Sequence, residues 1–192
     1  MKICLGVPNG GRVHARLLTD LVQSVMTVPG ASWFLCAPEG SLGPHNRWIA
    51  ARMAVEEQCE YLWLVDADMA IPPDALPRLL AHHKDLVGAA YHYRGLPLRT
   101  VVKLRDQGGA LYIPDKLPDT LFSCAAIGSG CTLVRVSALQ QIPQPWFALA
   151  WTPEGCLAKT DDVWFCEQAA SVGIETWCDP SLEVRHIGDF LY

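Results

Sequence analysis

The chain has 192 residues, 51% of them hydrophobic, and a formal net charge of −5. That length and apolar share suit one domain with a sizeable core. The negative balance and the lack of a basic tract exclude the electrostatic footprint of a nucleic-acid binder. No apolar run approaches the ~20 residues a membrane-spanning helix needs.

The opening Ile3–Val7 run is too short for a secretory signal core and fits a first buried strand, closed by Pro8-Asn9-Gly10-Gly11. Val13, Leu17, Leu18, Leu21, Val22 and Val25 then recur at helical spacing, and Pro29-Gly30 ends that helix. Ser32–Ala37 is a second expected strand and Asn46–Gln58 a second helix. Tyr61–Val65 is apolar on both faces, the mark of a strand in the middle of a parallel sheet. After Ile71-Pro72-Pro73, Asp74 is placed to cap a helix that carries Leu76, Leu79, Leu80 and His83. Leu86–Tyr91 is the next strand. Residues 94–122 lose periodicity, with a hairpin expected around Gly108-Gly109. Strand character returns over Ile127–Val136, a helix follows over Asp161–Val172, and short strands close the chain at Glu175–Trp177 and Leu182–Val184. The order βαβαβαβ followed by a mixed second half predicts one α/β domain with a mostly parallel central sheet flanked by helices. The eight cysteines include no CxxC pair and lie mostly in apolar runs. Buried free thiols in a cytoplasmic protein are the expectation.

Three short segments carry candidate chemistry. In Asp66-Ala67-Asp68 the carboxylates are two apart, so on an extended backbone they share one side. They follow a central strand, and open α/β sheets bind ligands outside the carboxyl ends of their strands. Two close carboxylates repel unless a cation joins them, and a hard divalent ion completed by a diphosphate would do so. An exposed turn rich in Asp accounts for the spacing equally well. Asp161-Asp162 opens a helix, where the dipole favours acidic groups; Asp162 is the candidate base and Asp161 a cap or acceptor-binding group. His186, in Val-Arg-His-Ile-Gly, is a candidate imidazole ligand that would tilt the metal toward Mn²⁺ over Ca²⁺. A structural histidine is the alternative. The other histidines form no ligand spacing.

Gly128-Ser129-Gly130 permits a close backbone approach by substrate, or a bulge. Pro145-Trp146-Phe147 offers aromatic surface for an acceptor, or core. Arg12, Arg16 and Arg47 lie near strand ends and could meet phosphate, or line solvated helix faces.

Taken together, these segments resemble the GT-A glycosyltransferases, the nucleotide-diphospho-sugar transferase superfamily, in its family 2-like form. Tyr61–Asp68 resembles the DxD strand of that family. Ile127–Arg135 resembles its glycine-bearing strand behind the acceptor site. Thr160–Cys166 resembles its Glu-Asp helix start with Asp161 in place of Glu, and His186-Ile187-Gly188 its late metal histidine. The resemblance implies a single domain over 1–192, with a nucleotide-binding half at 1–92 and an acceptor-side half at 93–192. It implies metal-dependent, inverting transfer of a sugar from a nucleotide-diphosphate-sugar to an acceptor hydroxyl, on a glycan, lipid or protein. The site it implies has Asp162 as base with Asp161 beside it. Pro8, Asn9, Arg12, Arg47 and Asp66 meet the donor; Gly128, Gly130, Trp146 and Trp164 meet the acceptor. Asp68 and His186, with Asp66 directly or through water, hold Mn²⁺ or Mg²⁺. Two rival readings are nucleotidyl transfer on a related fold, for which Gly10-Gly11-Arg12 is a thin match, and a nucleotide- or carbohydrate-binding module without turnover. A haloacid-type phosphatase would place its DxD after the first strand, not the third.

Overall fold

Tyr61–Val65 is apolar on both faces because it is covered twice. Tyr61, Trp63 and Val65 pack into one core, Leu62 and Leu64 into a second on the opposite side of the sheet. The computed structural model describes residues 1–188. In chain order the first half holds β1 (Lys2–Gly6), α1 (Ala15–Met26), β2 (Ser32–Cys36), α2 (Gly43–Glu56), β3 (Tyr61–Val65), β4 (Met69–Ala70), α3 (Ala75–Ala81) and β5 (Leu86–Ala89). Then come β6 (Leu104–Arg105), β7 (Leu111–Tyr112), β8 (Phe122–Cys124), β9 (Cys131–Arg135) and α4 (Val136–Leu139). The chain continues through β10 (Ala150–Trp151), β11 (Leu157–Lys159), α5 (Asp161–Ser171), β12 (Thr176–Asp179) and β13 (Arg185–His186).

The central sheet has seven strands in the order β2-β1-β3-β9-β5-β12-β8. Strands β2, β1, β3, β5 and β12 run one way; β9 and β8 run the other. Helices cover both faces, as in a Rossmann-like α/β fold. Leu17 and Leu21 of α1 join Leu76 and Leu79 of α3 in one core. Ala50, Ala51 and Ala54 of α2 join Leu139 of α4 in the other. Helix α5 feeds both, with Val163 and Cys166 toward the first and Phe165 and Ala169 toward the second. The chain leaves β1 toward β2 on one side and then crosses to β3 on the other. The crevice past the carboxyl ends of β1 and β3 is therefore the switch point where such sheets bind ligands. Strand β9, from the second half of the chain, lies between β3 and β5 of the first, so both halves share one sheet.

Several expected boundaries move. Helix α1 starts at Ala15, capped by His14, whose ring nitrogen accepts from the Arg16 N–H at 3.2 Å. Helix α2 starts early because Pro44 suits a first turn. Asp74 is the N-cap residue of α3, but its side chain makes no capping bond; it faces Arg78 at 3.8 Å instead. The expected strand over 127–136 is only Cys131–Arg135, because the backbone turns through the glycines before it. Leu182–Val184 forms no strand; the pairing slides to Arg185–His186, which runs antiparallel to Met69–Ala70. The hairpin at Gly108-Gly109 forms between β6 and β7, with the Gly109 N–H bonded to the Asp106 carbonyl at 3.0 Å.

The end of β12 is pinned to α3 by a buried carboxylate. Asp179 is 2% exposed. It accepts from the Ser181 N–H at 2.9 Å and the Ser181 hydroxyl at 2.6 Å, and it faces His82 Nε2 at 2.9 Å and Arg78 at 3.3 Å. Burial alone would raise its pKa, but these bonds and the Arg78 charge outweigh burial and hold it below the usual 3.8. A depressed carboxyl contributes stability that is present above its unfolded-state pKa and lost as pH falls through the folded one. Asp179→Asn is therefore expected to cost about 3 kcal/mol at pH 7. It should also flatten the loss of stability seen by urea titration below pH 3.8.

Candidate functional site

Arg47, on α2, joins three elements at the switch point. Its Nη2 donates to both Asp66 oxygens at 2.8 and 2.7 Å, and its Nη1 donates to Asp161 Oδ2 at 2.7 Å. The three side chains are 16%, 18% and 12% exposed. Burial by itself would lower the Arg47 pKa, but the Asp66 and Asp161 charges outweigh it and hold the guanidinium firmly protonated. Helix α2, the end of β3 and the start of α5 are thus fixed to one planar fork. Arg47 Nε is buried and has no partner among the described residues.

This fork changes the expected roles. Asp161 does not cap α5; it is the second carboxylate on Arg47. Arg47 binds carboxylates through both Nη groups and its Nε is buried, so the fork is committed chiefly to holding the fold. Asp66 has both oxygens bound to Arg47 and keeps spare lone pairs at the cleft it lines. The repulsion expected between Asp66 and Asp68 is relieved by two arginines, because Asp68 pairs with Arg94.

A cleft of about 450 Å³ opens beside the fork, lined by Pro8, Asn9, Gly10, Arg12, Gly40, Ser41, Gly43, Asn46, Arg47, Asp66, Ala67 and Asp68. Every residue expected to meet the donor is in it. Pro8 is buried in the cleft floor. Asn9 organises the rim: its Oδ1 accepts from the Gly11 N–H at 2.9 Å and its amide reaches the Pro38 carbonyl at 3.2 Å. Asn46 clamps the same two loops by donating to the Asn9 and Gly40 carbonyls, both at 3.0 Å. Arg12 is exposed on the rim and makes no ion pair among the described residues.

Asp68 and His186 meet. The Ile187 N–H donates to the Asp68 carbonyl at 2.6 Å, and His186 stands opposite Met69 in the β4–β13 ladder. His186 Nδ1 lies 2.6 Å from the His92 carbonyl. A carbonyl only accepts, so Nδ1 carries the hydrogen and Nε2 of the neutral ring has the lone pair. Burial lowers the His186 pKa below 6.5 against the opposing carbonyl bond, which keeps the ring neutral at pH 7. The ring packs edge-on against Tyr91, centroids 4.9 Å apart. No group of three His, Cys, Asp or Glu side chains with metal-binding geometry occurs among the described residues. The β4–β13 pairing brings the His186 segment beside the Asp66-Ala67-Asp68 turn, where the Asp66 carboxylate is engaged by Arg47 and that of Asp68 by Arg94.

Tyr91 is the residue the sequence reading passes over. Its hydroxyl accepts from the Gly130 N–H at 2.8 Å, and a Cβ at Gly130 would come within 2.7 Å of that hydroxyl. A Cβ at Gly128 would clash with the same oxygen. Both glycines are buried and serve this close approach, so they do not border an acceptor. Burial pushes the Tyr91 phenol well up, and the Asp66 charge adds to it. The signal in the sequence was Tyr91 at the end of an apolar strand with small residues at 128 and 130.

Asp162 sits in the first turn of α5. Its Oδ1 accepts from the Val163 N–H at 2.8 Å and from the Thr160 hydroxyl. No hydrogen bond among the described residues engages Oδ2. Burial, with the Asp162 charge second, pushes Tyr93 up to about 12. Trp146 cannot meet an acceptor: it is 4% exposed, in the core under α2, and donates to the Ile142 carbonyl at 3.0 Å. Trp164 is half-buried and donates to the Pro145 carbonyl at 2.8 Å, tying α5 to the 145–149 loop.

No family model matches the chain, and no curated protein matches it. Among solved structures the chain is similar to the crystal structure of A197 from STIV, with 20% sequence identity and a TM-score of 0.68 over 98% of this chain and 87% of A197. That likeness carries the fold and leaves function to the site.

Arg47→Met is expected to cost about 3–5 kcal/mol in chemical denaturation, because it strands two shielded carboxylates. Adding Asp66→Asn and Asp161→Asn should recover a large part of that loss. Two-bond ¹H–¹⁵N spectra at pH 7 should show His186 neutral with the proton on Nδ1, and titration should place its pKa below 6.5.

Proposed function

We propose that the protein is a metal-dependent glycosyltransferase that moves a sugar from a nucleotide-diphosphate-sugar to an acceptor hydroxyl with inversion. The observation that supports this reading is the backbone pairing that brings His186, its Nδ1 on the His92 carbonyl, beside Asp68, which lines the switch-point cleft. Asp68 and His186 would hold the divalent ion, Mn²⁺ or Mg²⁺, and when bound it stabilises negative charge on the departing nucleoside diphosphate. A mixed carboxylate–imidazole pair favours Mn²⁺ over Ca²⁺.

The residues of the chain supply the rest. Arg94 pairs with Asp68 through a side chain that is 48% exposed. Its release costs little and turns a cation toward the diphosphate. Arg12 adds a second cation from the opposite rim. Asp66 is held rigid by Arg47 and keeps lone pairs for a ribose hydroxyl. Asp162 has Oδ1 fixed by Val163 and Thr160, which leaves Oδ2 to take the acceptor proton as its oxygen attacks the anomeric carbon. The eight unpaired cysteines support a reducing, cytoplasmic setting for this chemistry. No helix among the described residues is long and apolar enough to cross a membrane.

Thermal-shift screening of nucleoside diphosphates with and without Mn²⁺ should give metal-dependent stabilisation by one of them. His186→Gln and Asp68→Asn should abolish the metal-dependent part. Asp162→Asn should keep it while transfer from a labelled nucleotide-sugar drops roughly 10²–10⁴-fold. Release of pyrophosphate in place of nucleoside diphosphate would establish nucleotidyl transfer instead. Binding without donor consumption would establish a binding module.

A further inference from the structure

A second cleft, of about 550 Å³, lies on the far side of the hairpin that carries Tyr91 and His92. That volume is within the roughly 300–1,000 Å³ of small-ligand sites. His92, Arg99 and Lys116 bring basic groups to it, Asp115 one acid, and Leu98 and Leu117 apolar walls. Neither Arg99 nor Lys116 makes an ion pair or a side-chain hydrogen bond among the described residues. Elsewhere the chain spends its arginines on carboxylates, as at Arg47, Arg78, Arg105 and Arg135. Arg99 and Lys116 are instead two cations, unpaired among the described residues, that line one cavity.

The cleft is joined to the candidate site through its own backbone. The Tyr93 N–H donates to the Arg99 carbonyl at 2.9 Å, and the Val101 N–H to the Tyr91 carbonyl at 3.0 Å. The His92 carbonyl is the acceptor that fixes His186. One short hairpin therefore presents the His92 carbonyl to His186 and the His92 and Arg99 side chains to the cleft. A ligand group seated on Arg99 and Lys116 lies one hairpin away from His186.

We propose that this cleft binds an anionic group, a carboxylate or a phosphate. On the transferase reading, which this assignment of the ligand rests on, the group belongs to the acceptor. Arg99 supplies a planar fork that matches either oxyanion, and Lys116 a point charge. Asp115 opposes the anion and limits its affinity, which suits an acceptor that must leave after transfer. The acceptor class is therefore an acidic glycan or a phosphorylated hydroxyl compound.

The test separates this site from the donor cleft and from turnover. Inorganic phosphate and glucuronate are titrated in parallel, at constant ionic strength, against the protein with labelled histidine and leucine. The expected result is a saturable shift at His92, Leu98 and Leu117 for at least one anion, and the tighter anion names the group. Arg99→Ala with Lys116→Ala should weaken that binding roughly tenfold or more. Asp115→Asn should tighten it a few-fold, and Arg12→Ala, on the donor rim, should leave it unchanged. All four positions are exposed, so the variants should fold, which circular dichroism would check. Shifts that never saturate, or that survive loss of both cations, or that vanish only with Arg12→Ala, would overturn the proposal. Saturable binding in a protein that consumes no nucleotide-sugar would keep the anion site and overturn the transferase reading alone.

Discussion

One buried guanidinium decides where the acidic groups of this protein stand. Arg47 binds Asp66 with one end of its fork and Asp161 with the other, and it does so from a third element, α2. Each carboxylate alone would be costly to hold at the floor of a cleft, and so would the cation. Held together, they fix the end of β3, the start of α5 and the body of α2 in one plane. The neighbouring residues inherit that geometry. Asp68 follows Asp66 by two positions and Asp162 follows Asp161 by one, so each candidate chemical group is placed by the structural carboxylate before it.

The second wall of the site is built differently, from close backbone contact. Tyr91 reaches under the turn at 128–130 and takes the Gly130 N–H, which only glycines at 128 and 130 allow. The edge of its ring supports His186, and the next residue, His92, fixes the His186 tautomer with its carbonyl. The imidazole is thus oriented by two consecutive residues at the end of β5. The ring is so constrained, and among the described residues its Nε2 has no hydrogen-bond partner.

Much of this was legible before any coordinates. The uninterrupted apolar run Tyr61–Val65 announced a doubly covered strand, and helical periodicity in Val13–Val25 announced α1, because burial imposes its period directly on sequence. The acidic pair after the third strand lines the switch-point cleft, the acidic helix start is tied to it through Arg47, and the segment of the late histidine pairs with the strand that follows the acidic pair. The donor-side residues Pro8, Asn9, Arg12, Arg47 and Asp66 share that cleft. The acceptor side was less legible. Trp146 is core and the glycines at 128 and 130 serve Tyr91, because an aromatic or a glycine has the same letter whether it faces ligand or neighbour.

The sequence by itself determined which segments are strands and helices, their alternation along the chain, and which residue types stand at strand ends. Those are properties of short stretches, set by local periodicity, turn residues and burial. Only the tertiary structure decided that Asp66 and Asp161 share one arginine, that Asp68 is paired with Arg94, that β9 runs backwards between β3 and β5, and that Arg99 and Lys116 face a cavity without an acid on either. Charge pairing joins residues up to 114 positions apart, as Arg47 and Asp161 are. No window of sequence contains both partners, so the partition between structural carboxylate and chemical carboxylate exists only once the chain has closed on itself.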